Sequence, residues 1–199
     1  MTAQPALAIE PARARPELEG RILEQCLAGN SVAMQAFVRH YQRMVFAFLA
    51  RLLGPGAAVE DLAQEVFARA LRALPRFDSN GRARLSTWLL TIASRLAIDE
   101  QRRARRASVN DSTVCDVDSA HESPEQTQHR RELAQAIARA VAALSHDQRE
   151  SFVLAEIHGL TMDELASVTR VPVGTAKARL SRAREQLREI LGPLWEELQ

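Results

Sequence analysis

The sequence predicts an all-α protein of two helical domains joined by a flexible acidic linker. Apolar residues recur at spacings of three and four along most of the 199-residue chain. Capping residues open these periodic stretches, and glycine or proline closes them. No stretch alternates convincingly as a strand would. The length accommodates one or two small cores, and a polar gap divides the periodic stretches into two groups, residues 17–106 and 123–195.

Residues 1–16 carry three prolines and no sustained periodicity, so a disordered lead is expected. A first helix starts after Pro16 and stops near Ala28, before Gly29 and Asn30. Ser31 is the expected cap of a long second helix with Met34, Phe37, Tyr41, Met44, Val45, Phe48, Leu49 and Leu52 on its apolar face, broken by Gly54, Pro55 and Gly56. A third helix is expected over 59–74, ended by Pro75. The polar loop 76–85 follows, with the turn pair Asn80-Gly81 at its centre. Ser86 is the expected cap of a fourth helix that reaches Arg106 and buries Trp88, Leu89, Ile92 and Leu96.

Residues 107–122 hold no helical pattern and form the linker. Ser123, Pro124 and Gln126 then supply a cap, a first-turn proline and a box partner for a helix to Ala143. Ser145 and Gln148 repeat the signal for a helix ending at Gly159, where His158 reads as a partner of the helix dipole.

The stretch 161–184, TMDELASVTRVPVGTAKARLSRAR, is the most specific in the chain. Thr161 and Glu164 form a capping box, in which hydroxyl and carboxylate reciprocally satisfy free backbone donors at a helix start. Leu165, Ala166 and Val168 supply an apolar face, Thr169 and Arg170 occupy a turn, and Pro172 opens a second helix where a missing N–H costs nothing. In that helix Ala176, Leu180, Ala183, Leu187 and Ile190 form a core-facing stripe, and the pair Gly192-Pro193 is its expected end. Its other surface carries Lys177, Arg179, Arg182, Arg184 and Arg188 against the single Glu185, with small Thr175, Ala178 and Ser181 between them. A helix lying in a major groove needs long cations for phosphates, a few donors for base edges and little bulk at closest approach.

Formal net charge is only +1, but the charges are segregated. Residues 170–188 hold six cations against one acid, 100–106 four arginines against one acid, and 111–125 five carboxylates with no Lys or Arg. Two basic contact surfaces joined by an acidic connector are implied. Lys177 is the only lysine among 26 basic residues, a bias toward arginine that codon supply explains. Cys26 and Cys115 have no zinc-ligand spacing with any histidine and read as free thiols, Cys26 as packing on a helix face. The five histidines are scattered, and no metal set, phosphate loop or nucleophile motif supports an enzyme. No apolar run approaches membrane-spanning length and the start lacks a secretion signal's apolar core, so a cytoplasmic location is expected.

Two runs of residues resemble one family over nearly the whole chain. In the second half these are Leu144, Gln148, Arg149, Phe152, Gly159, Glu164, Leu165, Ala166, Val171, Pro172, Gly174, Thr175, Lys177, Arg179, Leu180, Arg182, Ala183 and Arg184. In the first half they are DLAQEVFARALRAL over 61–74, then Phe77, Thr87, Trp88, Leu89, Ile92, Ala93, Asp99, Arg102 and Arg103. The former looks like region 4 and the latter like region 2 of the extracytoplasmic-function, or group 4, sigma factors of bacterial RNA polymerase. Both regions in this order, with a short linker and no region 3, make the resemblance specific.

The resemblance implies a promoter-specificity subunit without catalysis or cofactor of its own. Its partners would be core RNA polymerase, through the β′ clamp helices and the β flap, promoter DNA, and an anti-sigma factor. The helix over 61–74 would dock on the clamp helices, with Asp61, Gln64 and Glu65 as polar contacts. Phe77, Asp78, Ser79, Asn80 and Arg82 would lie in the loop that captures a flipped base of the minus ten element, and Arg102 and Arg103 would meet phosphates upstream. Trp88 is expected in the core rather than on DNA. For the minus thirty-five element, Lys177, Ala178, Ser181 and Arg182 would face base edges, and Thr175, Arg179 and Arg184 the backbone.

Two other readings compete. A sigma mimic that binds an anti-sigma factor and never touches DNA would have a recognition helix stripped of cations, against Lys177, Arg179, Arg182 and Arg184. A plain helix-turn-helix regulator would leave the resemblance over 61–106 without a role.

Overall fold

A computed structural model describes residues 16–54, 56–78, 84–107 and 124–197. The expected disordered lead, apart from Pro16, and the expected linker, apart from Ala107, lie outside the described residues. Among the described residues the regular structure is entirely helical: α1 (Pro16–Leu27), α2 (Ser31–Leu53), α3 (Ala57–Ala73), a 3₁₀ turn (Leu74–Arg76), α4 (Leu85–Ala107), α5 (Pro124–Ala143), α6 (His146–Phe152), a π-helical turn (Val153–Ile157), α7 (Met162–Thr169) and α8 (Val173–Glu197).

In the first half, α2 is the central helix, packed against α1, α3 and α4. Phe37, Val45, Phe48 and Leu49 of α2 are wholly buried with Val66 of α3 and Leu89 of α4, so the 3.6-residue stripes of three helices meet in one core. Cys26 is buried in the same core, as a packing residue. The cap of α2 is Asn30, not Ser31: its side-chain oxygen accepts from the backbone N–H groups of Val32 and Ala33. Asn caps as well as Ser, and Gly29 ahead of it takes the positive φ of 79° that ends α1. Ser86 is likewise inside α4 rather than its cap, since helical bonding has begun with Trp88 N–H donating to Arg84 O at 2.9 Å. Leu89 and Leu96 are buried as expected, whereas Trp88 and Ile92 are only half-buried.

Of the three capping boxes expected in the second half, Ser145 with Gln148 and Thr161 with Glu164 are present, and Ser123, the expected cap of the third, lies outside the described residues. The helix expected to run evenly to Gly159 widens into a π turn, closed by His158 N–H donating to Val153 O at 3.1 Å. His158 is therefore not a charged dipole partner. Burial, with Arg51 nearby, lowers its pKa to about 4, and the neutral ring packs edge-on to Phe48 at 5.7 Å. The last helix does not end at Gly192-Pro193 but continues to Glu197. Pro193 removes one hydrogen bond close to the helix end, which interrupts the ladder without terminating it.

The two halves pack directly on one another, α7 against α4 and both α5 and α6 against α2. Arg149 is the principal polar tie. It donates to Val141 O at 3.1 Å, to Leu144 O at 3.2 Å and to Ala142 O, and reaches across to Leu52 O at 3.0 Å. Ser94 donates to the buried carboxylate of Glu150, and Thr87 donates to Glu164 at 3.1 Å.

The histidine makes stability depend on pH. Its folded pKa, about 4, lies below the ordinary 6.5 or so, so the unfolded chain binds more protons between those values. Its contribution is present above pH 6.5 and is lost as pH falls toward 4, at most about 3 kcal/mol. Thermal unfolding of His158→Phe should show a shallower loss of Tm than the parent chain from pH 7 to pH 4; parallel curves would mean that the ring is not buried neutral.

Candidate nucleic-acid interface

The second half builds a helix-turn-helix from α7, a tight turn and α8. Thr161 accepts from the Glu164 backbone N–H, and the Glu164 carboxylate accepts from Thr161 N–H at 2.9 Å and Thr161 Oγ1 at 3.0 Å. Burial pushes the Glu164 carboxyl up, but the hydrogen bonds from Thr161 and Thr87 outweigh it and hold the pKa below the usual range. Arg170 leaves α7 in the left-handed region at φ 55°, with Val171 N–H donating to Ala166 O at 3.1 Å. That single residue sets the angle between the helices, and Pro172 O then accepts from Ala176 N–H to begin α8.

In α8, Ala176, Leu180, Ala183 and Leu187 are buried against the rest of the half, whereas Ile190 is 38 % exposed. Thr175, Lys177, Ser181, Arg182 and Arg184 are exposed, and Ala178 and Arg179 are half-buried. The two arginines expected at the DNA backbone are held by acids of the same half. Arg179 pairs with Asp147 at 2.6 Å, and Arg184 Nε donates to Glu156 of the π turn at 2.9 Å. They lie on opposite flanks of the buried stripe, so the pairs fasten both edges of α8 to the α6 and π segment. Lys177, Ser181 and Arg182 are exposed on the side of α8 away from its buried stripe.

In the first half, Phe77 follows the 3₁₀ turn, with its N–H donating to Leu74 O at 3.0 Å and its ring 5.2 Å from Trp88. Asp78 is exposed beside it. Ser79, Asn80 and Arg82 lie outside the described residues. At the far end of α4, Arg102 and Arg103 are exposed, Arg103 3.7 Å from Glu100. Asp61 and Gln64 are exposed one turn apart on α3. Glu65 is engaged within the helix: Arg69 donates to it at 2.6 Å and, with Arg72 also near, keeps its carboxyl below the usual range.

Sequence reasoning missed the groove beside Gln64. It has a volume of about 750 Å³ between α2 and α3, lined by Val38, Phe46, Ala63 and Phe67 with Gln42 and Glu60 at its edge. The signal was present in Phe46, a large apolar residue off the buried stripe of α2 and 44 % exposed.

Residues 37–107 match the family description Sigma-70 region 2, and residues 134–187 match Sigma-70, region 4. The chain is 31 % identical over 190 residues to RNA polymerase sigma-H factor of Pseudomonas aeruginosa, covering 91 % of this chain and 97 % of that protein. It is 31 % identical over 182 residues to the ECF RNA polymerase sigma-E factor of Escherichia coli, covering 87 % and 94 %. The chain belongs to the extracytoplasmic-function sigma factors of the sigma-70 family. Among solved structures, this sigma factor resembles RpoE of Bartonella quintana in its complex with the anti-sigma factor NepR, with TM-score 0.66, 26 % identity and coverage of 79 % of this chain and 96 % of that one. It also resembles CnrH in complex with the cytosolic domain of CnrY, with TM-score 0.63, 26 % identity and coverage of 88 % and 98 %.

The box at the start of α7 gives a direct test of the reading unit. Thr161→Ala leaves the Glu164 backbone N–H without its acceptor and takes one donor from the Glu164 carboxylate, and should lower stability by about 1 kcal/mol in denaturant unfolding. An unchanged midpoint would mean that water replaces the cap without loss.

Proposed function

We propose that this sigma factor binds core RNA polymerase, brings it to promoters with two spaced elements and nucleates strand opening, without catalysis of its own. Residues 17–106 serve as the minus ten and polymerase-binding unit, and residues 123–195 as the minus thirty-five unit. The observation that carries this reading is the exposed cluster of Lys177, Ser181 and Arg182 on α8, in a chain that also holds a region 2 match ahead of it. Neither a sigma mimic nor a lone helix-turn-helix regulator requires both.

Asp61 and Gln64, exposed beside the α2 and α3 groove, serve as polar contacts to the β′ clamp helices, and apolar Phe46 and Val38 supply contact area there. Glu65 serves by orienting Arg69 as well as by direct contact. Phe77, Asp78, Ser79, Asn80 and Arg82 take the flipped minus ten base, where unstacking costs a few kcal/mol that a stacking and hydrogen-bonding pocket offsets. Arg102 and Arg103 meet phosphates upstream. At the minus thirty-five element, Lys177, Ala178, Ser181 and Arg182 face base edges. Thr175, Arg179 and Arg184 face the backbone, the two arginines exchanging their carboxylate partners for phosphate. RpoE of Bartonella quintana was captured with an anti-sigma factor and CnrH with the cytosolic domain of CnrY, and the former supports control by an anti-sigma factor. Among the described residues no helix is long and apolar enough to cross a membrane, in keeping with a cytoplasmic protein.

In vitro transcription with purified core polymerase on a pool of genomic promoter fragments tests the reading. New start sites sharing two spaced elements are expected, and absence of both transcription and core binding would overturn it. Arg182→Ala should reduce promoter-specific transcription about 5- to 100-fold, the equivalent of one bidentate guanine contact, and leave core binding intact. Loss of both together would remove α8 from DNA. In a pull-down, Asp61→Ala with Gln64→Ala should weaken core binding, and full retention would exclude α3 as the docking surface.

A further inference from the structure

The cations of α8 fall into two kinds. Among the described residues, Lys177 and Arg182 are exposed with no acid paired to them, whereas Arg179 and Arg184 are each held by a carboxylate. Arg179 meets Asp147 at 2.6 Å, and Arg184 meets one oxygen of Glu156 through Nε at 2.9 Å and through a terminal nitrogen at 2.5 Å. At 3.6 residues per turn the two held arginines stand about 70° to either side of the buried stripe, and Lys177 and Arg182 stand about 90° and about 130° from it. The acids therefore approach from the protein side and leave the outer arc of α8 open. Solvent reaches both pairs, with the Asp147 and Arg184 side chains each 55 % exposed. An acid at a helix start such as Asp147 also suits the dipole, but Glu156 lies at the far end of that helical run. It is presented by the π turn Val153–Ile157, a departure from regular helix of the kind that recurs at functional sites.

Resting on the reading above that Arg179 and Arg184 face the duplex backbone, we infer that Asp147 and Glu156 belong to the DNA-binding device. Each occupies an arginine in place of a phosphate, so duplex binding must displace two carboxylates, and acids that never touch DNA set how tightly α8 holds it. A guanidinium grips carboxylate and phosphate with the same fork of donors, so one can be exchanged for the other. The exchange is within reach, because an exposed ion pair shifts an equilibrium by no more than about 5-fold. It is still a loss, because the displaced carboxylate is left beside the incoming phosphate as a like charge. Seen from farther than a Debye length, about 8 Å at physiological salt, each pair is neutral. Residues 170–188 carry six cations against one acid, a formal +5, which Asp147 and Glu156 bring to +3. Sequence-blind binding is driven by such charge through the release of counterions. Lys177 and Arg182, read as facing base edges, keep their charges. The two acids thus lower affinity for every duplex alike and flatten its dependence on salt, holding the chain off bulk DNA without altering its choice of sequence.

The test is binding of the full chain to two end-labelled duplexes of unrelated, scrambled sequence, followed by fluorescence anisotropy from about 50 to about 200 mM salt. Asp147→Asn with Glu156→Gln, which keeps size and a hydrogen-bonding oxygen at both places, should tighten binding to both duplexes equally. The expected gain is about 5- to 25-fold at the lowest salt, with the slope of log K on log salt steeper by up to about 2. Misfolding loses affinity and cannot produce that gain. Asp163→Asn with Glu189→Gln removes the same charge from exposed acids that hold neither arginine and should give a clearly smaller gain; an equal one would reduce the effect to net charge and overturn the proposal. Arg179→Gln with Arg184→Gln should weaken binding and flatten the slope, and in that background the Asp147 and Glu156 substitutions should add no more than the control pair does. Weaker binding by the arginine variant with no gain in the acid variant would overturn the proposal and keep the backbone reading. No change in either would overturn both.

Discussion

The guanidinium of Arg149 holds together parts of the molecule that share no covalent neighbour. Helix ends leave carbonyls without partners, and a buried helix end must find donors for them. Arg149 answers three such carbonyls at the end of α5 and a fourth at the end of α2. One planar group with five donors can do this where a lysine could not. Burial lowers its pKa, but from so high a value that the group keeps its charge, and four carbonyl dipoles stand in for the water it has lost. The start of α6, the end of α5 and the end of α2 are thereby fixed relative to one another, and the π turn and the helix-turn-helix follow from α6.

The helix-turn-helix was the most legible part of the chain because its signals are local. A capping box, a buried stripe at 3.6-residue spacing and a proline at a helix start each depend on residues within a few positions, and all three recur in the structure. What escaped the sequence depends on tertiary contact. Asn30 and Ser31 are equally good caps on paper, and the choice between them is settled by where α1 ends. His158 at a helix terminus reads as a cation until Phe48, 110 positions earlier in the chain, is packed against it. A π turn has no composition of its own, and a proline near a helix end does not show whether the helix stops.

The candidate site divides in the same way. Exposure of Lys177, Ser181 and Arg182 follows from the stripe on the opposite face of α8 and could be read off the periodicity. The capture of Arg179 by Asp147 and of Arg184 by Glu156 joins residues 32 and 28 positions apart, and no local pattern announces it. The groove between α2 and α3 is intermediate: Phe46 off the buried stripe was visible, but its shape needed a second helix beside it.

One compositional oddity acquires a structural meaning. The single lysine of the chain stands exposed on the second helix of the helix-turn-helix, while every other basic side chain is a guanidinium. Arginine is poorly nucleophilic and stays protonated, whereas the lysine amine is the target of acylation and related chemistry. Side-chain amine chemistry therefore has one address on this protein. A reporter group attached through it sits on the exposed face of α8, and an acyl group placed there would erase a charge from that face and from nowhere else.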